Sequence, residues 1–114
     1  MLAKAAAHCY TQERLNCAQS VLKAFRERAA VSQQEIDAAR GLGGGRAERG
    51  VCGALHAALR LVEDPAGKEA LRRGFVERAG SESCREIRKA KAVSCLQCVE
   101  IASLLADETL PRGG

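Results

Sequence analysis

With one Tyr, two Phe and no Trp in 114 residues, the chain has almost no aromatic surface from which to build an interior. Hydrophobic residues still make up 46% of it, so the core must be assembled from Ala, Leu, Val and Ile. That composition favours closely packed helices over a sheet, where β-branched and aromatic residues are enriched. No stretch alternates in polarity for long enough to read as a strand. The expected fold is therefore all-α, a small bundle of five or six helices with a Gly-rich loop before the third. A chain of this length supports one core, so residues 1–114 are read as a single helical domain.

Leu15, Ala18, Leu22, Phe25 and Ala29 recur at alternating three- and four-residue steps, an apolar stripe that predicts a first helix over residues 2–29. Ser32 and Glu35 stand at capping-box spacing and predict a second helix over 33–40, stopping at Gly41. The Gly-rich loop follows, and a third helix is expected over 52–62. Asp64 reads as an N-cap with Pro65 at the first helical position, opening a fourth helix that Gly80 closes. Ser83 with Glu86, and Ser94 with Gln97, repeat the capping spacing and predict helices over 84–91 and 95–107. Residues 108–114, with Pro111 and two terminal glycines, read as a frayed tail.

The formal net charge of +4 is spread among acids in runs such as RERAA and RLVEDP, the pattern of solvated helix faces. Its densest basic run, RKAK at 88–91, has no stacking aromatics beside it, so a nucleic-acid surface is not expected. The N-terminal MLAKAAAHCYTQE lacks the long apolar run of a secretory leader. No segment reaches the apolar length of a membrane span, and a cytoplasmic protein is expected. The glycine loop lacks the GK[ST] ending of a phosphate-binding loop, and no nucleophile, base and orienting acid stand together as in a hydrolase.

Six cysteines in such a chain point to metal binding or redox chemistry rather than to a disulfide framework. Cys52, Cys84 and Cys95 each fall at the predicted start of a helix. Unpaired N–H groups and the partial positive charge of a helix N-terminus both favour a thiolate, the form that attacks disulfides and binds metals. The competing reading is that these cysteines are small buried apolar side chains. Cys95 and Cys98 form CLQC on a stripe continued by Ala102 and Leu105, which turns both thiols toward the bundle interior. That spacing suits a dithiol or half of a metal site; no βαβ context and no second C-x-x-C accompany it. Cys9 and Cys17, eight residues apart on the predicted first helix, share a face but cannot grip one metal. His56 lies one turn after Cys52 and is a secondary candidate, as a ligand or proton donor; otherwise it is a packing residue.

The order NCAQSVL (16–22), GLGGG (41–45), VCGALHA (51–57), FVERAGSESCREI (75–87) and SCLQCVEIA (94–102) resembles the C_GCAxxG_C_C family of redox-active proteins over about residues 14–106. Four cysteines and a CGAxxG motif define that family. The resemblance implies that Cys17, Cys52, Cys84 and Cys95 are the site residues and that Cys9 and Cys98 are extras. One position departs from the motif, because its closing glycine is Ala57 here. The implied activity is redox, with no particular substrate.

Together these readings predict that Cys17, Cys52, Cys84 and Cys95 converge at one end of the bundle. There they would bind an iron–sulfur cluster or another thiolate-ligated metal such as zinc, in an oxidoreductase or electron-transfer protein. The first alternative is thiol–disulfide switching without metal, and the second a non-enzymatic helical interaction module with structural cysteines. Cys98 and His56 are secondary site residues, and whether Cys95 or Cys98 is the working thiol stays open. Gly43, Gly44, Gly45 and Gly53 would let the backbone turn tightly about the site and expose N–H groups near Cys52. The expected partner is a redox or electron-transfer protein, with neither nucleic acid nor membrane insertion.

Overall fold

The computed structural model describes residues 2–42, 50–91 and 93–110. Within them lie seven α-helices: α1 (Leu2–Gln12), α2 (Cys17–Ala24), α3 (Gln33–Ala38), α4 (Gly53–Leu61), α5 (Pro65–Ala79), α6 (Cys84–Ala90) and α7 (Cys95–Thr109). A short 3₁₀ helix, Ala39–Leu42, continues α3. The described residues contain no strand, only one isolated antiparallel bridge between Val51 and Ser83. The all-α expectation holds; the number of helices does not.

The count rises above five or six because the stripe read as one helix over 2–29 belongs to two. Arg14 takes a left-handed conformation (φ 56°) and ends the first run. Asn16 then opens α2 with a reciprocal capping box: its side chain accepts from the Gln19 N–H at 2.8 Å, and its own N–H donates to Gln19 Oε1 at 3.2 Å. The Asn16 amide also donates to the Ala39 and Arg40 carbonyls at 3.1 and 2.9 Å, tying the start of α2 to the 3₁₀ turn. That turn carries the chain through Gly41, where the sequence placed the end of the second helix. Cys9 and Cys17 consequently stand on different helices.

The other boundaries follow their caps. Ser32, Asp64, Ser83 and Ser94 each accept a hydrogen bond from the N–H three residues on. Gly80 closes α5 at φ 93°, a left-handed value that a side chain disfavours. The tail expectation is corrected at 108–109, which are the last residues of α7. Arg28 stabilises that end by donating to the Asp107 and Leu110 carbonyls at 2.9 and 3.1 Å and pairing with the Asp107 carboxylate. A cation at a helix C-terminus also meets the negative end of the macrodipole. Residues 111–114, like Gly43, Gly44 and Gly45 of the expected supporting loop, lie outside the described residues.

Helix α7 is the central element, packing on α1, α2, α4 and α5. Both phenylalanines, Phe25 and Phe75, are fully buried, beside Leu55, Leu71, Val21 and Val99. Ala6, Ala18, Ala54, Ala58, Ala102 and Ala106 are all at 0% exposure. Their single methyls let the helix axes approach closely, which is how a chain poor in aromatics fills its interior. No described helix is long and apolar enough to cross a membrane.

Candidate functional site

Every cysteine implied by the sequence resemblance begins a helix. Cys17, Cys84 and Cys95 are the first residues of α2, α6 and α7, and Cys52 is the N-cap of α4. Polar caps set three of these positions: Asn16, Ser83 and Ser94 each precede their cysteine. At Cys52 the approach is set instead by pairing with a neighbouring segment. The Val51–Ser83 bridge and the Cys52 N–H bond to the Glu82 carbonyl, at 2.8 Å, bring the start of α4 alongside the start of α6.

These helix starts, with Cys98 one turn into α7, enclose a cavity of about 30 Å³. Its sulfur lining comprises Cys17, Cys52, Cys84, Cys95 and Cys98; Ile87 and Val93 supply apolar wall, Gly53 a stretch of backbone, and Arg88 a charge. The depth is graded. Cys52 and Cys98 are 4% and 2% exposed, whereas Cys17 and Cys95 are half-buried and Arg88 is exposed at the rim.

The two deepest sulfurs interact directly. Cys98 shares the cavity wall with Cys52, and the hydrogen bond its thiol offers a Cys52 thiolate is the main influence drawing the Cys52 thiol down to about 7 from an ordinary value of 9.0. Burial opposes the shift, while the Ala54 and Leu55 N–H groups and the Arg88 charge support it. As a thiol, Cys52 makes no capping hydrogen bond; as a thiolate, it takes the place of the oxygen in an ordinary N-cap. Cys98 moves the other way, raised first by its bond to Cys52 and then by burial. Above about pH 7 the pair therefore holds one proton, on Cys98, and one negative charge, on Cys52.

A second set of contacts lies nearer the surface. Tyr10, Cys17 and Arg88 each stand close enough to the Cys95 sulfur to influence and be influenced by its charge. Burial, then the negative charge of the surrounding sulfurs and the bond to Cys95, push Cys17 up to about 12. Tyr10 is likewise raised to about 12, mainly by burial and by Cys17 and Cys95. Burial also raises Cys84, partly offset by Arg88. Cys52 is thus lowered while Cys17, Cys84, Cys98 and Tyr10 are raised.

Some candidate residues stand apart from this cavity. Cys9, on α1, is buried elsewhere, its thiol donating to Glu13 Oε2 at 3.6 Å. His56 follows Cys52 by one turn, its N–H bonded to the Cys52 carbonyl at 2.9 Å, but its side chain does not line the cavity. Ala57, where the motif has glycine, is packed in the hydrophobic core at 1% exposure and does not face the sulfurs. Gly53 does line the cavity.

Sequence reasoning missed Arg88 and Tyr10. Arg88 had a usable signal, since it follows Cys84 by four residues and so shares its helix face; read within RKAK, it passed for solvated surface. Tyr10 had none, because its approach to Cys95 depends on how α1 packs against α7.

The geometry is matched by one comparison. Residues 15–109 fit a family model described as "Putative redox-active protein (C_GCAxxG_C_C)". No curated protein and no solved structure matches the chain. Because the family match spans most of the 114 residues, including every cavity-lining cysteine, the chain belongs to the C_GCAxxG_C_C family.

Proposed function

We propose that the protein is a thiol–disulfide redox protein whose working pair is Cys52 and Cys98. The observation that carries this reading is that these two buried sulfurs line one small cavity, with Cys98 the leading influence that lowers the Cys52 thiol. Thiol chemistry requires a thiolate to attack and a nearby sulfur to close the disulfide. Cys52 supplies the first and Cys98 the second. Oxidation removes two electrons, one from each sulfur, as the S–S bond forms and the proton held on Cys98 leaves.

The helix starts explain why the charge is tolerated at such depth. Ala54 and Leu55 present N–H groups to Cys52 without any side-chain reorganisation. An isolated buried anion would be strongly disfavoured; one that meets preorganised donors is not. Cys17 and Cys95 at the rim, with Tyr10 and Arg88, make a second thiol pair through which electrons can reach the buried one.

Five thiols are also the donor type of iron–sulfur and zinc sites, so the fit of such a group is a fair question. A cavity of about 30 Å³ has room for one or two water-sized bodies, not for a cluster of several iron and sulfur atoms. Among the described residues, no three Cys, His, Asp or Glu side chains stand where a single ion could be held. The arrangement favours sulfur–sulfur chemistry over coordination.

The test is peptide mapping after mild oxidation with diamide, alongside iron and zinc analysis of protein purified without oxygen. The dithiol reading expects a Cys52–Cys98 link, two thiols lost and no stoichiometric metal. Stoichiometric iron or zinc that is released when the cavity cysteines are replaced would overturn it in favour of a metal centre. Failure to form any link, with Cys52→Ser altering stability alone, would leave the cysteines as structural residues.

A further inference from the structure

We infer that the oxidant of the Cys52–Cys98 pair is hydrogen peroxide, selected by a cavity that admits a two-oxygen molecule and excludes bulky disulfides and hydroperoxides. This inference rests on the dithiol reading above and supplies its missing substrate class. Three features of the site lead to it.

Access comes first. Cys52 and Cys98 are 4% and 2% exposed, so the sulfur of a protein disulfide or of oxidised glutathione cannot approach in line. The space beside them is about 30 Å³, enough for one or two water-sized bodies. Hydrogen peroxide is two bonded oxygens, and it fits. An alkyl group attached to the peroxide does not.

Chemistry comes second. A peroxide reacts when a thiolate attacks one oxygen and the other leaves with its electron pair, and the leaving oxygen needs a proton. Cys52 provides the thiolate, and the Cys98 S–H beside it provides the proton. In the first step the Cys52 sulfur bonds to oxygen, the O–O bond breaks, and the departing hydroxide takes the Cys98 proton to leave as water. Cys52 is then a sulfenic acid and Cys98 a thiolate. In the second step Cys98 attacks the Cys52 sulfur, the S–S bond forms, and the expelled hydroxide takes a proton from solvent. The sum is two thiols and one peroxide giving one disulfide and two waters, with two electrons passing from sulfur to oxygen. The bond to Cys52 is the leading cause of Cys98's reluctance to ionise, and oxidation of Cys52 removes that cause as the second step needs it. A dithiol reductant closes the cycle, becoming a disulfide as the pair returns to two thiols.

The third feature is the charge around the opening. Exposed Arg88 lies within electrostatic reach of Cys52, Cys84 and Cys95. It stabilises the negative charge that moves onto oxygen as the O–O bond stretches. Among the described residues, no carboxylate lines the cavity to oppose it.

Cys9 offers an internal control, since it is buried to a similar degree but has Glu13 rather than a donor thiol beside it. Reduced protein is mixed with hydrogen peroxide, tert-butyl hydroperoxide, oxidised glutathione or diamide, and each cysteine is followed by quenched peptide mass spectrometry. Hydrogen peroxide is expected to link Cys52 to Cys98 about tenfold or more faster than it modifies Cys9. It should also outpace tert-butyl hydroperoxide by about tenfold or more, the scale on which a closed pocket rejects extra methyls. In Cys98→Ser the link cannot form, and Cys52 should accumulate as a sulfenic acid that a cyclic 1,3-diketone traps once the protein is unfolded in its presence. Equal rates for the two hydroperoxides, or equal modification of Cys9 and Cys52, would overturn the inference. A Cys52–Cys98 link that forms with diamide, passed inward by exchange through the rim thiols Cys17 and Cys95, but not with hydrogen peroxide would also overturn it while leaving the dithiol reading intact. No link with either oxidant would bring down both.

Discussion

Cys9 and Cys52 are almost equally buried, at 5% and 4% exposure, yet their thiols shift in opposite directions. Cys9 sits within a helix, where neighbouring N–H groups are already committed, and its nearest polar partner is the carboxylate of Glu13. Burial and that negative charge both raise it. Cys52 sits one residue ahead of a helix, where N–H groups are free, and its nearest polar partner is the thiol of Cys98. Burial opposes its ionisation too, but is outweighed. Depth alone therefore does not make a cysteine inert or reactive. The sign is decided by what the sulfur faces.

Replacing Cys52 puts the largest strain on this comparison. Cys52→Ser should abolish the fast-alkylating thiol and the cross-link, while Cys9→Ser leaves both unchanged, as measured by differential alkylation and mass spectrometry. At pH 7 the remaining thiols should react about five- to tenfold more slowly, after allowing for the weaker nucleophilicity of a more acidic thiol. Equal loss in both variants would end the distinction.

Cys98→Ala removes the donor and tests the next largest effect. A thiol is reactive as its anion, so Cys52 alkylation should fall as pH drops through about 7 in the native protein. Without the Cys98 S–H, the fall should begin at higher pH, with a several-fold lower rate at neutrality. The groups facing Cys52 are the Ala54 and Leu55 N–H groups on its own helix, Cys17 of α2, Cys84 and Arg88 of α6, and Cys98 of α7; all but Cys98 survive the change. An unmoved midpoint would assign the shift to the backbone and Arg88 alone.

Arg88→Gln should have a smaller effect, because the guanidinium is exposed and screened. A two- to threefold loss of Cys52 reactivity is expected at low salt, shrinking as salt is added, with Cys9 unaffected. The smallest change is expected for Glu13→Gln. It removes the carboxylate beside Cys9 but not the burial that chiefly raises that thiol, so Cys9 alkylation should change by less than about twofold. A Cys9 that becomes as reactive as Cys52 would show that the carboxylate, not burial, held it back.

The positions of the cysteines were largely legible in the sequence. Ser83 and Ser94 announced the starts at Cys84 and Cys95 through their spacing to Glu86 and Gln97. The same signal, Asn16 to Gln19, marked Cys17 and was obscured by the apolar stripe that runs across it. Two helices facing one core can carry a continuous stripe, so periodicity does not register a break between them. Arg14, in a left-handed conformation, has no side-chain feature that announces the turn. Arg88 was within reach of helix spacing, whereas Tyr10 was not.

By itself, the sequence determined that the chain is helical and that thiols stand where helices begin, because capping and periodicity act over three or four neighbouring residues. Cys95 and Cys98 share a helix face, so spacing could not say which of them meets Cys52. Tertiary structure decided that: Cys98 faces Cys52, while Cys95 is engaged by Cys17, Tyr10 and Arg88. The reason is that a hydrogen bond between sulfurs acts over a few ångströms of space. That separation is set by how α7 packs against α4 and α1, elements far apart along the chain.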